Sequence, residues 1–254
     1  MFDRRKFLLG SAALALSGCK VFDSAGRSDS DLRALFASHE SLTQSAQRAL
    51  IGDSLAPEFS EADIRQGQRP NGSTDPTDAT YRKMAGTAFR DYRLTVTGMV
   101  DTPQTLSLAD LTALPSRTQI TRHDCVEGWS CIAKWQGVPL GTVLKLAQPK
   151  LTARYAVFHC FDAIERSLSG DVFYYESIDL IDAFHPQTIL AYAMNGAPLP
   201  VANGAPLRLR VERQLGYKMA KYVHTIELTD SLATLGSGKG SYWADRGYEW
   251  YAGI

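Results

Sequence analysis

Apolar and polar residues alternate along several short segments of the chain, a pattern typical of half-buried β-strands. Tyr92, Leu94 and Val96 alternate with polar neighbours up to Gly98, so we predict a strand there. Further strands are predicted at Arg117–His123, Tyr155–Phe161, Asp171–Tyr175, Ile189–Met194, Leu207–Val211 and Tyr222–Leu228. The pair Asn195-Gly196 indicates a tight turn after one of these strands.

Helical spacing and helix-ending residues predict helices around and between the strands. A helix within Ser28–Asp53 is expected to stop at Gly52. Ser107 can cap a short helix over Leu108–Leu114, and Pro139–Ala147 has proline in its first turn. We therefore assign the chain to the α+β class, with mostly short mixed strands and inserted helices.

The chain before the first strand divides into a signal segment and an accessory region. Residues 1–19 are the signal segment, and residues 20–90 are expected to form a helix and an extended loop that pack on the core. The loop, Ala56–Thr80, is rich in Pro, Gly, Ser, Thr and Asp. Residues 91–254 show no second compositional regime, so we predict a single domain after the signal.

The first residues carry two export signals. Arg4 and Arg5, with Lys6, precede the uncharged stretch Phe7–Gly18, which is shorter than the roughly 20 residues of a membrane span. The paired arginines resemble the twin-arginine export signal, and Leu-Ser-Gly-Cys ending at Cys19 resembles a bacterial lipobox. We expect cleavage before Cys19, a lipid anchor there and a periplasmic location; the alternative is an uncleaved amphipathic start.

Charge and cysteine content exclude several classes of protein. The 27 Lys and Arg residues balance 27 Asp and Glu residues, whereas a nucleic-acid-binding protein usually has a basic excess. Hydrophobic residues make up 44%, which excludes a disordered chain. Four cysteines in 254 residues are too few for a disulfide scaffold. We expect a globular protein with no nucleic-acid partner.

Six spaced motifs resemble one known family. They are Cys125–Trp129 (Cys-Val-Glu-Gly-Trp), Trp135–Leu140, Tyr192–Pro200, Asn203–Arg208, Gly216–Lys221 and the aromatic tail Tyr242–Tyr251. In this order they resemble the oxidoreductase molybdopterin-binding domain of the sulfite oxidase superfamily, of the methionine-sulfoxide-reductase type. The resemblance runs from about Asp91 to the end, and it implies a sulfite-oxidase-type fold and molybdenum with one molybdopterin per chain.

The resemblance places Cys125 as the protein ligand of molybdenum and as a catalytic residue. A soft thiolate suits a metal that already carries the dithiolene sulfurs of the pterin. Judged alone, Cys125 would more often be a buried free cysteine, and the flanking motifs reverse that preference. His123, two residues earlier, is either a proton donor near the metal or a structural histidine. The other histidines show no zinc-like spacing with the cysteines.

A local excess of positive charge accompanies the motifs between Val201 and His224. This segment contains one acidic residue, Glu212, and five basic residues, namely Arg208, Arg210, Arg213, Lys218 and Lys221. Arginine forks and lysines suit the phosphate of a cofactor. By resemblance, the cofactor contacts are Asn203, Arg208, Lys218, Met219, Ala220 and Lys221. Strand alternation puts Arg208 and Arg210 on the same face, so spacing alone does not separate them. The alternative for this segment is a solvent-exposed basic strand, and Arg210 and Arg213 are good candidates for it.

Two further contacts are weaker. Asn71, within Arg69–Gly72, resembles a segment that lies across the pterin in relatives, or is a plain turn residue. Cys160 stands where relatives place a small polar residue near the cofactor. Cys160 and Cys131 form either a disulfide or a pair of buried free thiols.

The resemblance implies two-electron oxygen-atom transfer, with reduction of a sulfoxide or similar small oxo-compound as the leading hypothesis. No haem-attachment Cys-x-x-Cys-His occurs, so electrons are expected from a membrane or periplasmic partner that carries haem or is linked to quinones. A sulfite-type oxyanion dehydrogenase is the alternative, because Arg122 and Lys134 lie close to Cys125 in the sequence. A cofactor-free lipoprotein binding module is the competing class.

Overall fold

Two β-sheets carry most of the fold in the computed structural model, which describes residues 42–67, 69–167 and 170–254. The strands in the described part are β1 (Arg93–Gly98), β2 (Gln104–Ser107), β3 (Arg117–Cys125), β4 (Trp129–Pro139), β5 (Tyr155–Ser167), β6 (Gly170–Asp179), β7 (Ile189–Met194), β8 (Ala197–Pro198), β9 (Arg208–Arg210) and β10 (Val223–Thr229). The α-helices within residues 53–254 are α1 (Ala79–Ala85), α2 (Leu108–Ala113), α3 (Leu140–Ala147) and α4 (Leu180–Ala183).

The first sheet has the order β2-β1-β10-β5-β6, in which only the β1–β10 pair is parallel. The second has the order β3-β4-β7-β8, with β9 also paired to β7, and is antiparallel throughout. In the β3–β4 hairpin Cys125 pairs with Trp129 and His123 with Cys131. This register places the residues of the first motif around one turn.

Side chains from both sheets and from α3 fill the main core. Leu94 of β1, Phe158 of β5 and Ile226 of β10 are fully buried there with Leu144 of α3 and Leu209 of β9. A smaller cluster surrounds Trp135 of β4. Burial of such apolar side chains contributes roughly 1.5–3 kcal/mol each. This packing fixes the strands from which the site residues project.

Local sequence signals explain the helix starts. The Asp78 carboxylate accepts a hydrogen bond from the Tyr81 N–H at the start of α1. Ser107 and Asp110 form a reciprocal capping box at α2. The predicted helix over Leu108–Leu114 is therefore confirmed to within one residue. Pro139, predicted in the first turn of a helix, is instead its N-cap, and α3 begins one residue later at Leu140.

Residues 42–52 belong to a separate unit from residues 53–254. Residues 42–51 are helical, and the Gly52 N–H donates to the Arg48 carbonyl, which confirms the predicted end of this helix. The export signals at Arg4, Arg5 and Cys19 lie outside the described residues. The predicted boundary at residue 90 stays a prediction. None of the described helices has the length and apolar character needed to cross a membrane.

The strand predictions hold with three corrections. β7 spans the predicted Ile189–Met194, and the left-handed backbone of Asn195 and Gly196 makes the predicted turn. Strands β2, β4 and β8 were not predicted, although Cys131, Ala133 and Trp135 alternate in burial along β4. Cys125 is the last residue of β3 rather than a turn residue, because it still pairs with Trp129. The β5–β6 hairpin is longer than predicted because it continues through exposed residues.

The predicted loop Ala56–Thr80 contains one short 3-10 turn and ends two residues earlier than predicted, at Asp78. A 3-10 turn forms at Glu61–Asp63, and α1 begins at Ala79. The loop returns to the core at several places. For example, the Phe59 N–H donates to the Ile120 carbonyl on β3.

Candidate active site

A cavity gathers four of the predicted site residues from distant parts of the chain. Cys125 lies at the end of β3, and Met219 and Lys221 lie after the 3-10 turn Gly216–Lys218. Asn71 reaches the cavity from the loop before α1. The other lining residues are Gly72, Ser73, Val126, Glu127, Asp162, Ile164, Tyr174, Tyr217, Trp243 and Tyr248.

The β3–β4 turn presents Cys125 at the cavity. Gly128 supplies the left-handed backbone of this turn, and its N–H donates to the Cys125 carbonyl at 3.0 Å. Burial raises the pKa of the Cys125 thiol, while backbone hydrogen bonds from Glu127 and Val126 lower it. These N–H groups therefore face the sulfur and favour its anionic form. The free thiol is the only sulfur nucleophile that lines the cavity in the described part of the chain.

His123 lies behind the cavity rather than in its wall. Arg210 Nη1 donates to His123 Nδ1 at 2.9 Å, so the ring accepts there and carries its proton on Nε2. Burial lowers the pKa of His123 well below its usual value, helped by the charges of Arg210, Arg208 and Lys221. His123 Nε2 is buried without a hydrogen-bond partner among the described residues. The predicted catalytic histidine is thus a neutral ring in a cationic layer.

The cationic layer is built on Trp135. The guanidinium groups of Arg208 and Arg210 lie 5.0 and 4.4 Å from the centre of its ring. Arg210 makes a two-pronged ion pair with Glu212, at 2.9 and 2.6 Å. Arg208 donates to the carbonyls of Asn203 and Met219, and its Nε has no partner among the described residues. Burial and the charge of Arg210 lower the pKa of Arg208 to about 9.

The interpretation of Arg210 and Arg213 as solvated strand residues is wrong. Both are buried: Arg210 lies on β9, which pairs with β7, and Arg213 follows three residues later. Arg213 donates to Asp182 at 2.7 Å. Strand alternation places Arg208 and Arg210 on one face, but it does not reveal that this face lies against Trp135.

The structure does not bring Lys218 to the cavity, contrary to the resemblance. Its Nζ donates to Glu176 Oε1 at 2.5 Å and to the Ser177 carbonyl at 2.9 Å. The same ammonium lies 5.2 Å from the centre of the Trp250 ring. Lys218 is fully buried in this network, so its charge is matched by Glu176 rather than by a phosphate.

Lys221 ties the Asn71–Ser73 segment across the cavity. Its Nζ donates to the carbonyls of Asn71, at 2.6 Å, of Ser73, and of Ala202, at 3.0 Å. Tyr222 Oη donates to the same Ser73 carbonyl at 3.0 Å. Burial and the charge of Arg208 lower the pKa of Lys221 to about 7. The position of Asn71 at the cavity therefore depends on Lys221, which lies 150 residues further along the chain.

Asn203, Arg208, Ala220 and Cys160 do not line the cavity. The Asn203 and Ala220 carbonyls accept from Arg208 and from the Leu209 N–H, so both stand beside β9. Gly204 brings this segment close: a Cβ there would lie 3.0 Å from Lys221 and 3.1 Å from Arg208, at a φ of +111°.

Cys160 borders a second cavity with His159 and His224. It is a buried free thiol, as is Cys131, so the disulfide alternative is wrong. The two cysteines lie in different sheets, on β5 and β4.

Sequence reasoning missed most of the cavity wall. Ser73 and Asp162 carried no signal, because a serine in a loop and an aspartate in a strand are ordinary residues. Tyr217 belongs to the motif Gly216–Lys221, and Trp243 and Tyr248 belong to the aromatic tail, but neither motif indicated a role for these rings. Their rings pack in series, with Tyr248 5.3 Å from Tyr217 and 5.1 Å from Trp243 between ring centres. The aromatic tail was the signal that could have identified this wall.

Comparison with known proteins settles the family. A model of the oxidoreductase molybdopterin binding domain matches residues 82–234. The chain belongs to this family, within the sulfite oxidase superfamily. The protein is therefore an oxidoreductase that depends on a molybdenum–molybdopterin cofactor, and the family resemblance stated from the motifs is confirmed.

Two relatives and one solved structure accompany this match. The putative protein-methionine-sulfoxide reductase subunit YedZ1 of Azospira oryzae is 36% identical over 99% of this chain and 86% of its own. The protein-methionine-sulfoxide reductase catalytic subunit MsrP of Ralstonia nicotianae is 32% identical over 91% and 70%. The sulfane dehydrogenase SoxCD of Paracoccus pantotrophus is 22% identical, over 56% of this chain and 39% of that one, with a TM-score of 0.48.

The residues present fit such a cofactor. Arg208 Nε and His123 Nε2 are buried donors without partners in the described chain, and they belong to one layer of excess positive charge. An anionic group such as a pterin phosphate would satisfy donors of this kind. Cys125 offers the soft sulfur that molybdenum accepts. Lys221 and Met219, which line the cavity, and Arg208, in the layer next to it, are the residues that would hold the cofactor.

Proposed function

We propose that the protein reduces a sulfoxide, of the kind formed by an oxidised methionine side chain, to the thioether. Two relatives named as protein-methionine-sulfoxide reductase subunits support this direction. When bound, the molybdenum cofactor supplies two-electron oxygen-atom exchange. Cys125 is proposed as the protein ligand of the metal, with one pterin per chain.

The lining of the cavity is the observation that carries the proposal. The apolar part of this wall comes from Val126, Ile164, Met219, Tyr174, Tyr217, Trp243 and Tyr248, and the two carboxylic acids in it are Glu127 and Asp162. Lys221 is the only Lys or Arg among the described lining residues, and its N–H groups donate to three backbone carbonyls. Apolar walls with few polar groups suit a neutral substrate with an alkyl chain.

The oxyanion alternative loses its sequence support in the structure. Arg122, which suggested it, is more than half exposed and pairs with Asp124 at 2.9 Å. Lys134 pairs with Glu61 at 2.5 Å. Neither residue lines the cavity, although both lie close to Cys125 in the sequence.

A substrate screen of the holoenzyme tests the function. The protein is purified from a host that makes molybdopterin, and its molybdenum and pterin contents are measured. Oxidation of a reduced viologen dye is then followed with methionine sulfoxide, and reduction of ferricyanide with sulfite. We expect about one molybdenum per chain and turnover with the sulfoxide. Turnover with sulfite alone would favour the dehydrogenase, and a stable protein without molybdenum would favour a binding module.

We further propose that the protein works outside the cytoplasm, exported through the twin-arginine route and anchored by lipid at Cys19. The export signals support this, because that route carries folded proteins with cofactors already inserted. Electrons are proposed to come from a separate membrane or periplasmic protein that carries haem or exchanges electrons with quinones. Its docking is tested by adding membranes of the native host to the purified enzyme and following quinol-dependent sulfoxide reduction.

A further inference from the structure

A carboxylic acid without an assigned role faces the same cavity as Cys125. Asp162 lies on β5, lines the cavity and is only 7% exposed. The β5–β6 register shifts between His159 and Ala163, so Asp162 falls in an irregular stretch of the strand. Irregularities of this kind re-aim side chains, commonly next to active sites. Here the irregular stretch turns an aspartate toward the reaction space.

The hydrogen bonds of Asp162 leave one oxygen available to the cavity. Its Oδ2 accepts from Ser73 Oγ, on the segment that Lys221 holds. Its Oδ1 accepts no hydrogen bond from any described residue and is not a sealed buried atom. Oδ1 is therefore accessible to a molecule in the cavity.

The groups around Asp162 set its protonation. Burial raises the pKa of the Asp162 carboxyl, whereas the Ser73 hydrogen bond and the Lys221 charge lower it. The remaining neighbours with which it interacts electrostatically are Tyr81, Cys160, Tyr222 and Tyr242. None of these four carries positive charge, so Lys221 is the one cation acting on Asp162 among the described residues.

We propose that Asp162 is the proton donor to the oxygen that leaves the sulfoxide. This inference rests on the proposed function. In the overall reaction one sulfoxide, two protons and two electrons give one thioether and one water. The sulfur–oxygen bond breaks, sulfur is reduced, and the electrons come from the enzyme's electron donor through the cofactor. Asp162 passes a proton to the departing oxygen, and water at the cavity mouth supplies the other and reprotonates Asp162.

Other acids at the site are less suited to this role. The Glu127 side chain is 58% exposed, accepts from Trp129 Nε1 at 2.9 Å and faces Arg69 at 3.5 Å. Those partners bind a carboxylate rather than a neutral acid. His123 does not line the cavity. Asp162 is the buried carboxyl that does so in the described part of the chain.

The test compares Asp162→Asn, Asp162→Glu, Ser73→Ala and Glu127→Gln in the holoenzyme. Asp162→Asn should lower kcat by about 100-fold or more, since a general acid contributes roughly this factor. It should also abolish the alkaline fall, that is, the decrease of kcat as pH rises and the carboxyl loses its proton. Molybdenum and pterin contents should stay unchanged. Asp162→Glu should restore part of kcat. Ser73→Ala should move the alkaline fall to higher pH, because the lost hydrogen bond stabilises the carboxylate.

A second measurement needs neither cofactor nor turnover. Isotope-edited infrared spectra of the cofactor-free protein should contain the carbonyl band of a protonated aspartic acid that persists above the ordinary Asp titration near pH 4. The band should be absent in Asp162→Asn, and in Ser73→Ala it should disappear at a higher pH than in the wild type.

Two results would overturn the inference while leaving the proposed function intact. One is an Asp162→Asn enzyme that keeps both its rate and its alkaline fall. The other is loss of the alkaline fall in Glu127→Gln alone. A wild-type holoenzyme that reduces no sulfoxide would instead refute the proposed function, and the inference with it.

Discussion

Arg210 donates a hydrogen bond to His123 Nδ1 across the second sheet, at 2.9 Å. This bond fixes the imidazole in the form that carries its proton on Nε2, because an arginine can only donate. The orientation of the ring two residues before Cys125 therefore depends on a residue 87 positions further along the chain. His123 and the two arginines therefore form one connected layer, and Cys125 lines the cavity two residues further along the same strand.

Cys125→Ser should lose molybdenum binding and turnover. A hydroxyl is a harder donor that stays protonated, so it replaces the thiolate poorly at a soft metal. We expect activity to fall by more than about 100-fold, a loss of at least roughly 2.7 kcal/mol. Metal analysis and viologen oxidation measure both effects. Retention of full turnover with metal bound would show that Cys125 is not the ligand.

Arg208→Ala should lower cofactor occupancy. A hydrogen bond to a charged group contributes roughly 1.5–3 kcal/mol, which corresponds to about 10- to 150-fold in affinity. Pterin content is measured under limiting cofactor, with exposed Arg93→Ala on β1 as the matched control. Arg213 is unsuitable as a control because it is buried against Asp182. Equal pterin loss in the Arg93 variant would contradict a specific role for Arg208.

Lys218→Met should destabilise the fold rather than alter the cavity. It leaves Glu176 as an unpaired buried carboxyl, and such changes cost about 3–5 kcal/mol. Adding Glu176→Gln should recover part of that loss, because the buried charge is removed. Urea unfolding of the two single variants and the double variant measures the coupling. Additive losses would mean that the pair does not interact as the geometry indicates.

The free energy of unfolding should decrease as pH falls from about 6.5 toward 4, in part through His224. Burial, with the charge of His159, lowers the pKa of His224 to about 4 from its ordinary value of 6.5. The unfolded chain therefore binds a proton in this window that the folded chain does not, so acid favours unfolding. His224→Gln should flatten the slope between pH 4 and 6.5. Urea midpoints at several pH values check this, and an unchanged slope would contradict it.

Replacing both Arg4 and Arg5 with lysine should retain a folded precursor in the cytoplasm, because the paired arginines are the feature that the export route reads. Cell fractionation and immunoblotting measure the distribution. Cys19→Ala separately tests the anchor, through mass spectrometry of the attached lipid. Normal export of the double-lysine variant would refute the twin-arginine interpretation.

The sequence predicted the elements whose signals are local. β7 is bounded by a turn that Asn195 and Gly196 require, so both its identity and its end could be read. Cys125 could be proposed for the cavity that it lines because the residues that mark it are its immediate neighbours. Lys218 was misplaced because its partner, Glu176, lies 42 residues earlier on another strand. The position of Asp162 in the cavity wall could not be predicted, because it depends on a register shift in β5 that no residue pattern indicates.

The two sides of the cavity have separate origins in the chain. Cys125 and Lys221 adjoin strands whose positions the sheets determine, whereas Trp243 and Tyr248 flank a 3-10 turn at Ala244–Arg246 that belongs to neither sheet. Substitutions in this tail can reshape the wall without disturbing strand pairing. Evolution can therefore change what the enzyme accepts and keep how it holds its cofactor, and directed evolution for new substrates should start between Ser241 and Tyr251.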